Sequence, residues 1–204
     1  GAAHHGVAVP LHDGTTLVSD GTGQGLPDVI RLIDATGAEL DRTTTCIDLH
    51  GEATAQDDVT LFGCAGSVEL HDTDGFRSIA LPDAAARVGG PKGSAASPIV
   101  VADYTITGQP RTQVALVDTA SDDIRLAEIP APYTASTVAR TDDGGAVVLG
   151  TDGVLYVLDV RTGDILESIP AIAAWTQPEG HGAAPAVHIV GDWAFVTNPA
   201  TIAV

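Results

Sequence analysis

Short apolar runs, each followed after a few turn residues by a run that alternates apolar and polar positions, recur along the chain. Four of them share one plan. VIRLID (29–34), VELHD (68–72), VALVD (114–118) and LYVLD (155–159) each end on an aspartate, pass through a turn rich in Asp, Thr and Gly, and resume as a second, alternating run. A two-residue period over four to six positions, bounded by such turns, is the pattern of a β-hairpin. The closing aspartates Asp34, Asp72, Asp118 and Asp159 lie 38, 46 and 41 residues apart.

Upstream of each hairpin lie further strand candidates. They are 6–11 and 15–20 in the first unit, 50–55 and 58–64 in the second, and 136–141 and 145–151 in the fourth. In the third unit a single run, SPIVVADYTI (97–106), holds this place and divides less cleanly, and GGPKGSAAS (89–97) before it reads as loop. APAVHIV (184–190) and WAFVTN (193–198) open a fifth set, and 201–204 reads as the start of its third strand. Four strands per 40–45 residues is the signature of a β-propeller with four-stranded antiparallel blades. The expected blades span approximately 4–45, 46–90, 94–132 and 133–172, with a partial blade at 179–204. A ring of four and a half blades leaves strand edges unpaired. The expectation is therefore about half of a seven- or eight-bladed propeller, in an incomplete chain. A two-sheet sandwich predicts no such repeat. The one helix candidate, PDAAARV (82–88), is two turns at most.

Charge narrows the partners. The 204 residues carry 27 Asp and Glu against 9 Lys and Arg, a formal net charge of −18. Nucleic acid and anionic membrane surfaces both reward Lys and Arg, so neither is expected as a partner. No apolar run approaches the roughly 18 residues that span a bilayer, so no membrane insertion is expected.

Seven histidines stand out against this background. His5, His50 and His181 are each followed by glycine and each precede the first strand of a blade, 45 and 131 residues apart. The first strands of a propeller line its central channel, so residues at their starts converge on one mouth. Neutral imidazole is a favoured zinc ligand, and the following glycine lets backbone pass close by. Glu52 lies two residues after His50 and so on the same face of a strand, where its carboxylate can complete a coordination shell or brace an imidazole N–H. The bland alternative is a histidine that merely bonds a neighbouring strand. No local zinc signature is present. His71 stands where Ile33, Val117 and Leu158 stand in the other units and reads as a packing position; His188 reads as a buried strand residue, and Trp175 and Trp193 as packing.

Cys46 and Cys64 bracket His50. Cys46 lies in the connection leading into blade two, and Cys64 ends the second strand of that blade, at the same mouth. The two thiols can therefore meet. A disulfide pinning the loop of His50 is the favoured reading and points to an oxidising compartment; two buried free thiols are the alternative.

Other chemistry finds little support. There is no GxSxG elbow, no P-loop, and no glycine-rich strand–helix turn. AAHHGVAVPL (2–11), CIDLHGEA (46–53), LFGCAGSVEL (61–70) and EGHGAAPAVH (179–188) resemble bacterial extracytoplasmic zinc metallochaperones of the AztD type. The resemblance implies a single-chain β-propeller that binds Zn²⁺ through histidines and passes it to the solute-binding protein of a zinc ABC transporter. It implies His5, His50 and His181 as metal ligands and Cys46–Cys64 as a disulfide, in the periplasm or outside the cell. The His-rich flexible segment expected of such chaperones is not in this stretch. It implies no enzyme. Two rival readings remain: a metal-free interaction propeller, and a propeller hydrolase or lyase whose channel metal activates water.

Overall fold

A computed structural model describes residues 6–21, 25–178 and 182–199. Among these the chain is all-β, with only two single 3₁₀ turns, at Gln56–Asp58 and Ala135–Thr137.

The first sheet holds β1 (Ala8–Pro10), β2 (Thr16–Asp20), β3 (Val29–Ile33) and β4 (Glu39–Thr43) in sequence order. The second holds β5 (Glu52–Thr54), β6 (Thr60–Gly63), β7 (Ser67–Asp72) and β8 (Gly75–Ala80). β9 (Ala86–Arg87) joins the third sheet, whose main path is β10 (Lys92–Ser94), β11 (Ser97–Ile106), β12 (Gln113–Asp118) and β13 (Asp123–Glu128). The fourth holds β14 (Val138–Arg140), β15 (Ala146–Leu149), β16 (Val154–Leu158) and β17 (Ile165–Pro170), and a hairpin of β18 (Val187–Val190) and β19 (Trp193–Val196) begins a fifth. Every pairing is antiparallel and, apart from that of β9 with β11, joins consecutive strands, the meander of propeller blades.

The two-residue period of the middle strands explains why the sheets stack. On β12, Ala115 and Val117 pack toward blade two, with Leu61, Leu70 and Val100, while Val114 and Leu116 pack toward blade four, with Val148 and Tyr156. On β15, Ala146 and Val148 face blade three while Val147 and Leu149 face Val187 of the fifth. Middle strands are thus apolar on both faces because each blade is sandwiched between two others. Each fully buried Leu or Val contributes about 1.5–3 kcal/mol. The outermost strands lack this double burial: β4 reads ELDRT and is mostly exposed.

The first strands adjoin one another around the axis, with β5 against β10, β10 against β14 and β14 against β18. Segments far apart in the sequence are thus brought side by side.

Blade three departs from expectation. Its first strand is β10, inside the stretch read as loop, and SPIVVADYTI is one uninterrupted strand, β11. β10 reads KGS and carries no apolar signal; it is half-buried, and Gly93 lies directly against the backbone of Thr54. The far end of β11 overhangs β12 and pairs instead with β9, Thr105 opposite Arg87 and Ile106 opposite Ala86. The helix candidate at 82–88 is therefore a turn followed by β9. Asp83 accepts from the Ala85 amide at 2.8 Å, turn chemistry that competes with a helix. His188 and Trp193 are also exposed rather than buried, Trp193 at 73%. Both lie on the fifth-blade hairpin, which has a neighbour on one side only among the described residues. The segment 201–204 lies outside those residues.

Candidate metal centre

The connection between blades one and two is held at several points before it delivers His50. Cys46 and Cys64 form a disulfide with Cα atoms 5.1 Å apart. Both are fully buried, in a cluster with Leu17, Ile30, Leu49 and Phe62. The Leu49 amide donates to the Pro27 carbonyl at 2.8 Å, and the Ala65 amide to the Ile47 carbonyl at 2.8 Å. The His50 amide donates to the Gly63 carbonyl at 3.0 Å, and the Gly63 amide to the Gly51 carbonyl at 3.1 Å. The backbone of His50 is thus fixed from both sides.

Glycine is required where the next blade crosses. A Cβ on Gly51, at φ +80°, would stand 2.6 Å from the Gly89 carbonyl oxygen, and one on Gly63 would stand 2.5 Å from that of Val88. The approach brings the Gly89 carbonyl to the His50 ring, 2.6 Å from Nδ1. A carbonyl oxygen only accepts, so Nδ1 carries the proton. In the neutral ring the lone pair then sits on Nε2, and a backbone carbonyl behind the ring is the usual partner of a metal-binding imidazole.

The ring borders a cavity of about 330 Å³, shared with Arg87, Asp103, Thr105, Arg111 and Ala135. Asp103 is only 4% exposed. Its Oδ1 accepts from the Gly89 amide at 2.9 Å and the Gly90 amide at 2.6 Å. Its Oδ2 faces Arg111 at 3.5 Å, and the Arg111 guanidinium lies 5.9 Å from the centre of the Tyr133 ring. Burial pushes the Tyr133 hydroxyl far above the ordinary tyrosine range, so it stays neutral and donates to the Gln113 carbonyl at 2.6 Å.

Of the residues expected at the mouth, His50 lines this cavity. Glu52 is exposed on β5, opposite Phe62, and is not among the described residues lining it. His5 and His181 lie outside the described residues. Among the described residues no group of three or more His, Cys, Asp or Glu side chains forms a metal site.

The strand register can nevertheless be compared. His50 stands two residues before β5, and Ser136 two before β14. Ser136 Oγ reaches the carbonyl of Pro185, itself two residues before β18, at 3.0 Å. Gly6 and Gly90 occupy the same place before β1 and β10. Residues 5 and 181 therefore lie one and four positions upstream of this common level. Ser97 does not share this level, since it begins the second strand of blade three.

Sequence reasoning missed Asp103, Arg87 and Arg111. For Asp103 a signal existed: it is the one charged residue in the run SPIVVADYTI. His71 meets its expectation, buried at 6% exposure with its ring 4.6 Å from that of Phe76.

No protein-family model matches the chain. The zinc chaperone AztD of Citrobacter koseri aligns at 28% identity, over 97% of this chain and 48% of that protein. The similarity is to AztD. Apo AztD from Citrobacter koseri superposes with a TM-score of 0.76 at 26% identity, covering 97% of this chain and 55% of that one. A second AztD crystal structure from the same organism gives 0.75 at 26%, covering 97% and 54%. Hydrazine synthase from Kuenenia stuttgartiensis, at 16% identity and 0.53 over 76% of this chain and 46% of its own, shares the fold alone. The chain spans about half the length of the AztD proteins it matches, as a partial propeller does. AztD is named as a chaperone and not as an enzyme.

Proposed function

We propose that this chain belongs to a zinc metallochaperone, one propeller including blades beyond these, which holds Zn²⁺ at the channel mouth and delivers it to the solute-binding protein of a zinc ABC transporter. The observation that carries the reading is the His50 imidazole, held in its Nδ1–H form by the Gly89 carbonyl at the border of a cavity, in a chain similar to AztD. His50 is the first ligand. His5 and His181 are the other nitrogen donors, and Glu52, which stands outside the cavity lining, is the candidate oxygen donor from the same strand face; nitrogen and carboxylate oxygen together suit zinc. Zinc is cargo here, so an open mouth serves ligand exchange with a partner. The buried disulfide fits an extracytoplasmic location.

Zinc titration against a chromophoric chelator tests the reading. His50→Ala is expected to weaken binding strongly, and unchanged affinity would remove His50 from the site. Ligating imidazoles must be unprotonated, so wild-type affinity should fall as pH drops through about 6.5. Zinc transfer to a transporter's binding protein separates a chaperone from a metal-dependent enzyme. Absence of zinc binding altogether would favour a metal-free interaction propeller.

A further inference from the structure

We infer that Asp103 is a positioning residue for His50: a buried carboxylate on blade three that sets the tautomer and orientation of an imidazole on blade two, through the Gly89–Gly90 segment. The inference deepens the zinc reading in its consequence for affinity. Its claim about the tautomer stands on geometry alone.

A charged side chain at 4% exposure needs partners that repay its desolvation. Asp103 has them. One oxygen gathers two consecutive amides, Gly89 at 2.9 Å and Gly90 at 2.6 Å, while the other faces Arg111 Nη2 and Thr105 Oγ1, each at 3.5 Å. Arg111 is itself held, Nε donating to Thr105 Oγ1 at 2.9 Å. These bonds orient the peptide planes of a glycine pair that has no side chain to fix it. The amide of Gly89 is tied to Asp103, and its carbonyl accepts Nδ1–H of His50 at 2.6 Å.

Removing the carboxylate frees the glycine segment, and the imidazole loses the acceptor that selects its Nδ1–H form. Asparagine keeps an amide oxygen that can accept from both glycines. Alanine keeps nothing. The pair of substitutions therefore separates positioning from bulk and charge.

The test uses ¹⁵N-labelled protein without metal at about pH 8, where long-range ¹⁵N–¹H correlations report which ring nitrogen is protonated. Wild type and Asp103→Asn are expected to show His50 as Nδ1–H. Asp103→Ala is expected to show a mixture with Nε2–H. In zinc titrations Asp103→Ala should bind about 10–100-fold more weakly, the usual cost of losing a partner that orients a ligand, with Asp103→Asn close to wild type. An unchanged tautomer in Asp103→Ala, or equal losses in the Asn and Ala variants, would overturn the inference. Should the alanine variant not fold, Asp103→Ser, too short to gather both amides, carries the same expectation. If the tautomer follows Asp103 while His50→Ala still binds zinc normally, the zinc reading falls and the positioning role stands.

Discussion

Cys46 and Cys64 are joined across the boundary between blades one and two, both side chains fully buried, at positions 18 apart in the chain. Closing a loop of that size removes conformational freedom from the unfolded chain worth about 3 kcal/mol. The double variant Cys46→Ala/Cys64→Ala should therefore melt roughly 6–12 °C lower for a domain of this size. Thermal melts with and without reductant read the effect. An unreduced wild type melting at the variant's temperature would show that the bridge contributes nothing.

Gly63→Ala tests the crossing that creates the site. The new methyl would meet the Val88 carbonyl oxygen at 2.5 Å and that of His50 at 2.9 Å, both backbone. Overpacking of this kind typically costs about 1–3 kcal/mol. Here it should also push Gly89 away from His50 and weaken zinc binding. Urea denaturation gives the first effect and zinc titration the second; full stability in Gly63→Ala would refute the close approach.

His71 makes stability depend on pH. Burial lowers its pKa below the ordinary value of 6.5, against the opposing pull of Asp72, Asp41 and Asp13. Between its folded pKa and about 6.5 the unfolded chain binds a proton that the folded chain refuses, so stability rises with pH in that window. The contribution is fully present above about 6.5 and is lost as pH falls. His71→Leu, which copies Leu158 at the equivalent place in blade four, should flatten this loss in melts at pH 7.5 and 5.5. A slope identical to wild type would exonerate His71.

Arg140 ties blade four to blade three. Its guanidinium donates to the carbonyls of Gly144, Gly145, Lys92 and Ile99, and burial pushes its pKa down to about 10. Arg140→Met would strand those acceptors and should cost about 2–4 kcal/mol in urea unfolding. Arg140→Lys should recover little, since one ammonium cannot span the fork. Full rescue by lysine would mean that charge alone matters.

What the sequence by itself determined is local in origin. Two-residue alternation and Asp-, Thr- and Gly-rich turns made the hairpins legible, and their spacing made the blades legible. Double burial of the middle strands showed as runs such as VALVD, apolar at successive positions, and the shared mouth put Cys46 near Cys64. These are properties of a few adjacent residues, which is why they survive in one dimension. Tertiary structure alone decided what each buried face meets. KGS became a first strand by pairing with β11, with Gly93 close against the backbone of Thr54 rather than in an apolar layer. PDAAARV became turn and strand because the overhang of β11 offered β9 a ladder. Asp103 became the brace of His50 because a glycine segment from its own blade crosses another blade's histidine. Local pattern records that a position is buried or turning; the identity of its partner is fixed only when the blades stack.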